Sequence, residues 1–211
     1  MLDLAFEHAL GAGDGRVVVG LDEAGRGPLA GPVVAAAVVL EPDRVDASLL
    51  ERLDDSKKLR RKEREELFEI LSAEAPFGIG TATVAEIDTL NILRATLAAM
   101  VQAVDALGLA PDHALVDGTH APDLPCPSDC VVRGDSRSAS IAAASIIAKV
   151  TRDRIMAALA RHYPGYGWER NRGYATPEHR AALGRFGVTP HHRRSFAPVF
   201  EVLNQLGPAF D

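Results

Sequence analysis

Four carboxylates stand out by where they fall: Asp22, Glu23, Asp117 and Asp135. The first two follow the apolar run Val17 to Leu21, Asp117 closes HALVD, and Asp135 closes CVVRGD. Short runs rich in Val, Leu and Ala next to glycine read as strands, so acids from three remote segments lie at or just beyond strand ends. In open sheets, sites form where strand ends meet. Carboxylates gathered there repel one another and hold their protons more tightly unless cations neutralise them. Hard oxygen donors suit Mg²⁺ or Mn²⁺, and two such ions about 3.5 to 4 Å apart clamp the attacking water and leaving oxygen of a phosphodiester. Metal-assisted phosphodiester hydrolysis is therefore the chemistry this pattern suggests. One condition attaches to it. Neighbouring residues on a regular strand face opposite ways, so Asp22 and Glu23 are expected to share a site only if the strand bends or ends between them, which Gly25 and Gly27 would allow.

Other residues carry two readings each. Asp153, in KVTRD, competes as fourth ligand, but a continuous helix from 136 would put it about 26 Å along the axis from Asp135, so one metal pair takes one of them. Asp135, beside a strand end and at a helix start, is preferred; Asp153 is read as an ion pair with Arg152 or Arg154, or as making a contact elsewhere. The glycines around Arg26 bring backbone N–H groups close to a ligand, or simply make a tight turn. Lys57 and Lys58, and likewise Arg193 and Arg194, are phosphate contacts or solvated faces. His191 and His192 lie away from the acids and read as structural. GRGPLAG lacks the Gly-Lys-Ser/Thr of a nucleotide-binding phosphate loop, which excludes that class.

The elements that must position these residues follow from periodicity. Residues 1–10 read as a short helix and Val17 to Leu21 and Pro32 to Leu40 as buried strands; 47–54 is a helical turn, and a helix over 60–74 is capped by Asp55 or Ser56. A strand is expected over 77–84, a helix over 91–107, strands ending at Asp117 and Asp135, and the strongest helix over 136–161, capped by Ser136 or Ser138. Its first half is apolar nearly all round and should lie against a sheet, its second half facing solvent. A loop, a helix between Pro177 and Gly187, and a last helix in FAPVFEVLNQL complete the chain. Strands followed by strands alternating with long helices indicate a mixed α/β sheet layered by helices.

At 211 residues, 47% apolar and 25% charged, the chain has the composition of one ordinary globular domain. A net charge of −6 would argue against nucleic acid, except that the basic residues cluster at 57–64, 170–172 and 193–194 and bound cations would cover some acids. No apolar run is long enough to span a membrane and the first residues are acidic, so a cytoplasmic protein is expected. Cys126 and Cys130 are half a zinc set with no second pair, and read as incidental thiols.

Seven blocks, in order, resemble the ribonuclease HII family, the type 2 ribonucleases H: GLDEAGRGPLAGPVV, DSKKL, EIDTLNIL, LVDG, GDSRSASIAAASIIAKVTRDRIM, NRGYATPEH and HHRRSF. The resemblance implies a ribonuclease H-like fold over residues 1–211, with a mixed central sheet flanked by helices and residues 177–211 as a small C-terminal helical extension. It implies Asp22, Glu23, Asp117 and the acid of GDS, Asp135, as ligands of two Mg²⁺ or Mn²⁺ ions. Gly25, Arg26, Gly27 and Tyr174 would read the junction between a ribonucleotide and the following deoxyribonucleotide, with Lys57, Lys58, Arg193 and Arg194 on phosphates. The implied activity is endonucleolytic cleavage 5′ of ribonucleotides in duplex DNA and of the RNA strand of RNA/DNA hybrids, by a monomer, leaving 3′-OH and 5′-phosphate ends. A non-catalytic nucleic-acid-binding module is the rival, and metal-dependent nicking separates the two. EVLNQLGPAFD offers no clamp-binding box, because Pro208 stands where an apolar anchor is wanted.

Overall fold

Two apolar strands lie side by side at the centre of the computed structural model, which describes residues 2–205. The chain runs through α1 (Ala5–Ala9), β1 (Val18–Ala24), β2 (Val33–Val39), α2 (Ala47–Arg52), α3 (Arg61–Glu74), β3 (Phe77–Ala82), α4 (Val84–Leu90) and α5 (Ile92–Ala106). It continues with β4 (His113–Asp117), β5 (Ser128–Val131), α6 (Ala139–His162), α7 (Trp168–Asn171), α8 (Pro177–Phe186) and α9 (Ala197–Gln205). Sheet order is β3-β2-β1-β4-β5. β1 pairs antiparallel with β2 and parallel with β4, so the sheet is mixed, as expected.

β2 is apolar at every position because both its faces are covered. Ala36 and Val38 face α6, whereas Val33, Ala35 and Ala37 face α5 with Ala99, Met100 and Ala103. The alanines of α6 allow its backbone to lie almost on β1. A Cβ built on Gly20 would stand 2.2 Å from the carbonyl carbon of Ser140. Only glycine fits that crossing, which fixes the start of α6 over the strand carrying Asp22.

Several elements depart from expectation for local reasons. β5 ends at Val131, and Asp135 sits instead in a one-turn 3₁₀ segment, Gly134–Ser136, before α6. Ser138 caps α6, accepting from the N–H of Ile141 at 3.3 Å. α3 is capped by Glu63, whose carboxylate accepts from the Arg60 N–H at 2.8 Å, and not by Asp55 or Ser56. β3 stops at Ala82, short of the expected 84, because a capping box of Thr83 and Glu86 starts α4, a helix that the periodicity does not show. The second half of α6 does not face solvent throughout, since Arg152 and Met156 are buried. Of the C-terminal extension, α8 and α9 pack through Leu183 and Val199 on Leu29; residues 206–211, with the clamp-box question at Pro208, lie outside the described residues.

Gly20→Val should force α6 off the sheet and cost about 1–3 kcal/mol or more, the usual range for overpacking. Chemical denaturation would register it as a lower midpoint; an unchanged midpoint would mean the crossing is looser than described.

Candidate active site

β1 keeps its register with β2 through Ala24↔Val34, so it neither bends nor ends between Asp22 and Glu23. The expected departure from regular strand geometry is thus corrected. What opens the site is the neighbouring strand: β4 last pairs with β1 at Leu21↔Val116 and ends at Asp117, leaving no strand residue beside Glu23. Asp22 and Asp117 therefore come together at an open strand end, with Asp135 on the turn leading into α6.

Each acid is fixed by one oxygen. Asp22 Oδ1 accepts from the Glu23 N–H at 2.6 Å and Asp117 Oδ1 from the Gly134 N–H at 2.6 Å. Lys57 Nζ donates to Asp135 Oδ2 at 3.3 Å, and Arg26 to Glu23 Oε1 at 3.4 Å. The other oxygen of each accepts no protein hydrogen bond among the described residues, and none of the four is sealed from solvent. The acids converge without forming a finished cage: no three His, Cys, Asp or Glu side chains of the described residues already surround one point.

Burial and neighbouring charge show in the proton affinities of three of them. Burial, then the charges of Glu23, Asp117 and Asp135, push the Asp22 carboxyl well above its ordinary value. Burial also raises Glu23, against the pull of Arg26, with Asp117 adding to the rise. Asp135 is raised by burial and by Asp55, with Lys57 opposing. Lys57 is pulled down by burial, but Asp135, Asp55 and Asp22 outweigh it and keep the ammonium firmly protonated. Four acids, each with a free oxygen, form a donor set that a divalent cation fits, and the exposed Lys57 ammonium supplies part of the compensating charge.

Beside them runs the loop Gly25–Gly31, and its carbonyls point inward onto two guanidinium groups. Buried Arg193 donates to the carbonyls of Gly25 (2.5 Å), Arg26 (2.8 Å) and Gly31 (2.9 and 3.0 Å). Arg152, also buried, donates to Pro32, Ala30 and Arg172 at 2.9 to 3.1 Å. Burial pulls Arg193 down to about 9 and Arg152 to about 10, so both stay cationic at neutral pH. Leu29 and Gly31 donate to Gly173 and His191, whereas the N–H groups of Gly25, Arg26 and Gly27 have no acceptor among the described residues. Gly25 has φ +101°, and a Cβ there would lie 2.0 Å from Arg152 Nε. Tyr174, 45% exposed, stands against Gly27: a Cβ on Gly27 would be 3.6 Å from its ring.

Two expectations change here. Arg193 cannot meet a phosphate, because it is fully buried under the loop; Arg194 alone of that pair is exposed, its N–H held by Asp88 at 3.0 Å. Asp153 is indeed in ion pairs, but with Lys149 (2.7 Å) and Arg172 (3.8 Å), not with Arg152 or Arg154. Lys58 pairs with Asp54 at 2.8 Å and remains exposed. Within the basic run, Arg60 faces Glu63 and Lys62 faces Glu66. Arg64 donates to the carbonyls of Ser56 and Leu59, shaping the turn that presents Lys57.

The structural reading of the histidines holds for His192. It is buried between Thr189 and His179, and burial pushes its pKa down to about 3. His179 in turn meets the Tyr174 carbonyl at 2.9 Å. Sequence reasoning missed Arg64, Arg152 and His179 as supports, since a cation in a helical run gives no sign of whether its partner is a carbonyl. Cys126 and Cys130 are free thiols. No helix of the described residues is long and apolar enough to cross a membrane.

Residues 19–199 match the family model described as Ribonuclease HII. A protein called ribonuclease HII from Paramagnetospirillum magneticum is 61% identical over 96% of this chain and 99% of its own length, and one from Rhodospirillum rubrum is 60% identical over 96% and 92%. The crystal structure of ribonuclease H2 from Pyrococcus horikoshii is 27% identical, with a TM-score of 0.77 over 92% of this chain and all of that one.

A carboxyl that the fold holds above its unfolded value binds its proton more tightly in the native state. Its contribution to stability is then full below about pH 4 and lost as pH rises through the folded value. Asp22→Asn should accordingly raise the Tm of metal-free protein at pH 7 to 8, and the gain should vanish towards pH 4. Divalent cations should raise the Tm of the wild type more than that of the variant. Thermal denaturation across pH checks this, and a variant destabilised at neutral pH would contradict it.

Proposed function

The chain belongs to the ribonuclease HII family, and from that premise we propose that it is a divalent-metal-dependent endoribonuclease acting on RNA/DNA hybrids and on duplex DNA containing ribonucleotides. What carries the reading is the convergence of Asp22, Glu23, Asp117 and Asp135 at one strand end, each with an oxygen free. These four would hold two ions, Mg²⁺ or Mn²⁺, whose chemistry is to activate water and neutralise the leaving oxygen of a phosphodiester. Every proposed ligand comes from one chain, so a single copy suffices.

The residues around the acids supply recognition. The N–H groups of Gly25, Arg26 and Gly27, which find no acceptor among the described residues, suit a phosphate or a sugar hydroxyl, groups that accept hydrogen bonds. The Tyr174 ring, held through its own carbonyl by His179, is exposed beside them and suits stacking on a sugar. A 2′-OH read at this place distinguishes ribonucleotide from deoxyribonucleotide. Lys57 carries positive charge at the rim of the acids, and Lys58 and Arg194 extend it outward for phosphate contact. With the 2′-OH used for recognition and not as nucleophile, and with Gly25, Arg26, Gly27 and Tyr174 reading the junction to the following deoxyribonucleotide, the expected cut lies 5′ of the ribonucleotide.

A labelled duplex carrying one ribonucleotide should be nicked only with divalent cation, giving a 3′-OH on the upstream fragment and a 5′-phosphate on the ribonucleotide. A 2′,3′-cyclic phosphate, or binding without cleavage in any divalent ion, would refute the reading. Tyr174→Ala should lose more rate on the single-ribonucleotide duplex than on uniform RNA/DNA hybrid, by roughly tenfold if about 1–3 kcal/mol of stacking is involved. Equal losses on the two substrates would remove Tyr174 from junction reading.

A further inference from the structure

Glu7 lies outside the segment that matches the family model, yet it is completely buried. Its Oε1 accepts three hydrogen bonds, from Ser138 Oγ at 2.6 Å, Ser140 Oγ at 2.6 Å and the Ser140 N–H at 2.9 Å. Its Oε2 has no partner. A buried carboxylate oxygen without a partner is costly, and evolutionarily simpler solutions such as an apolar contact would fill the same space. The three bonds all close on the first turn of α6, where backbone N–H groups lack intrahelical acceptors and negative charge is favoured.

That turn leads directly to the acids. The Ser138 N–H donates to the Gly134 carbonyl at 2.9 Å, closing the loop that carries Asp135. The Gly134 N–H, on the same residue, donates to Asp117 Oδ1. A second tie runs in parallel: the Ala139 N–H donates to the Asp3 carbonyl at 3.3 Å. Glu7 is thus connected through Ser138 and Gly134 to two of the four carboxylates, and α1 presses on the outside of the turn.

We propose that Glu7 is a positioning residue for this nuclease: from the N-terminal helix it clamps the start of α6 and so sets where Asp135 and Asp117 stand. The inference rests on those carboxylates being the metal ligands. It concerns reach more than charge. Gln keeps an acceptor at the same distance, whereas Asp is one methylene short and Ala leaves two hydroxyls and an N–H without their acceptor.

The test compares Glu7→Gln, Glu7→Asp and Glu7→Ala in the full chain, well below the melting temperature of each. Misplacing a ligand by around an ångström can cost up to about 10²-fold. Glu7→Asp and Glu7→Ala should therefore lose roughly 10- to 100-fold in kcat with KM for the duplex little changed. They should also bind Mn²⁺ more weakly, read by electron paramagnetic resonance without substrate, and exchange the Gly134 and Ser138 amide protons faster. Glu7→Gln should stay within a few-fold of wild type in all three. If Glu7→Ala fails to fold, Glu7→Asp carries the same comparison. A Glu7→Asp variant with wild-type kcat and Mn²⁺ affinity overturns the proposal, as does a Tm loss in Glu7→Ala with neither altered. Asp135→Asn is the control: if it still cleaves, the ligand assignment fails, whereas an inactive Asp135→Asn beside a normal Glu7→Asp sinks only the role of Glu7.

Discussion

Like charges held close together in a partly buried place set the terms for the rest of this molecule. Burial, and then the charges of neighbouring carboxylates, raise the proton affinity of Asp22, Glu23 and Asp135, so the folded chain without cations bears a standing electrostatic cost. The surrounding structure keeps the acids where they are against that repulsion. β1 and β2 hold Asp22 by uninterrupted register, the Gly134 N–H restrains Asp117, and α6 crosses Gly20 too closely to slide. Lys57 offsets part of the charge at Asp135 from an exposed position, from which it can move when another cation arrives.

The loop Gly25–Gly31 solves the opposite problem. Its carbonyls would be left unpaired under the C-terminal segment, and Arg152 and Arg193 satisfy them with charge-assisted bonds. Loop conformation is thereby dictated by these two side chains, while the N–H groups of Gly25, Arg26 and Gly27 find no acceptor among the described residues. Removing either guanidinium would orphan several buried carbonyls at once. The same logic joins distant parts of the chain: the loop after β1, the segment around Arg172 and Gly173, and the turn before α9 meet at these two side chains. The start of α6 therefore positions the acids, whereas Arg152, further along the same helix, and Arg193 position the loop.

Much of this was legible from residue type alone. Acids following apolar runs located Asp22, Glu23 and Asp117 at strand ends, and serine before an alanine-rich run located the start of α6. Asp135 was placed correctly beside them but on the wrong element, because CVVR reads as strand whether or not a partner strand continues alongside. The pairing of β1 with β4 could not be read, and with it went what leaves the sheet open beside Asp22 and Glu23: the neighbouring strand stops, and β1 does not bend. Arg193 was misjudged for a related reason. A pair of arginines looks the same in sequence whether it faces solvent or the carbonyls of a loop more than 160 positions away. Glu7 gave no signal at all, since its partners Ser138 and Ser140 are separated from it by most of the chain.

Anomalous scattering from Mn²⁺ tests the account most directly, in crystals of the wild-type chain bound to a duplex with one ribonucleotide whose scissile phosphate resists cleavage. Two manganese peaks are expected among Asp22, Glu23, Asp117 and Asp135, beside the scissile phosphate, with Tyr174 against the ribonucleotide sugar. Manganese held at Asp153, or found away from Asp22 and Asp117 with the duplex in place, would contradict it.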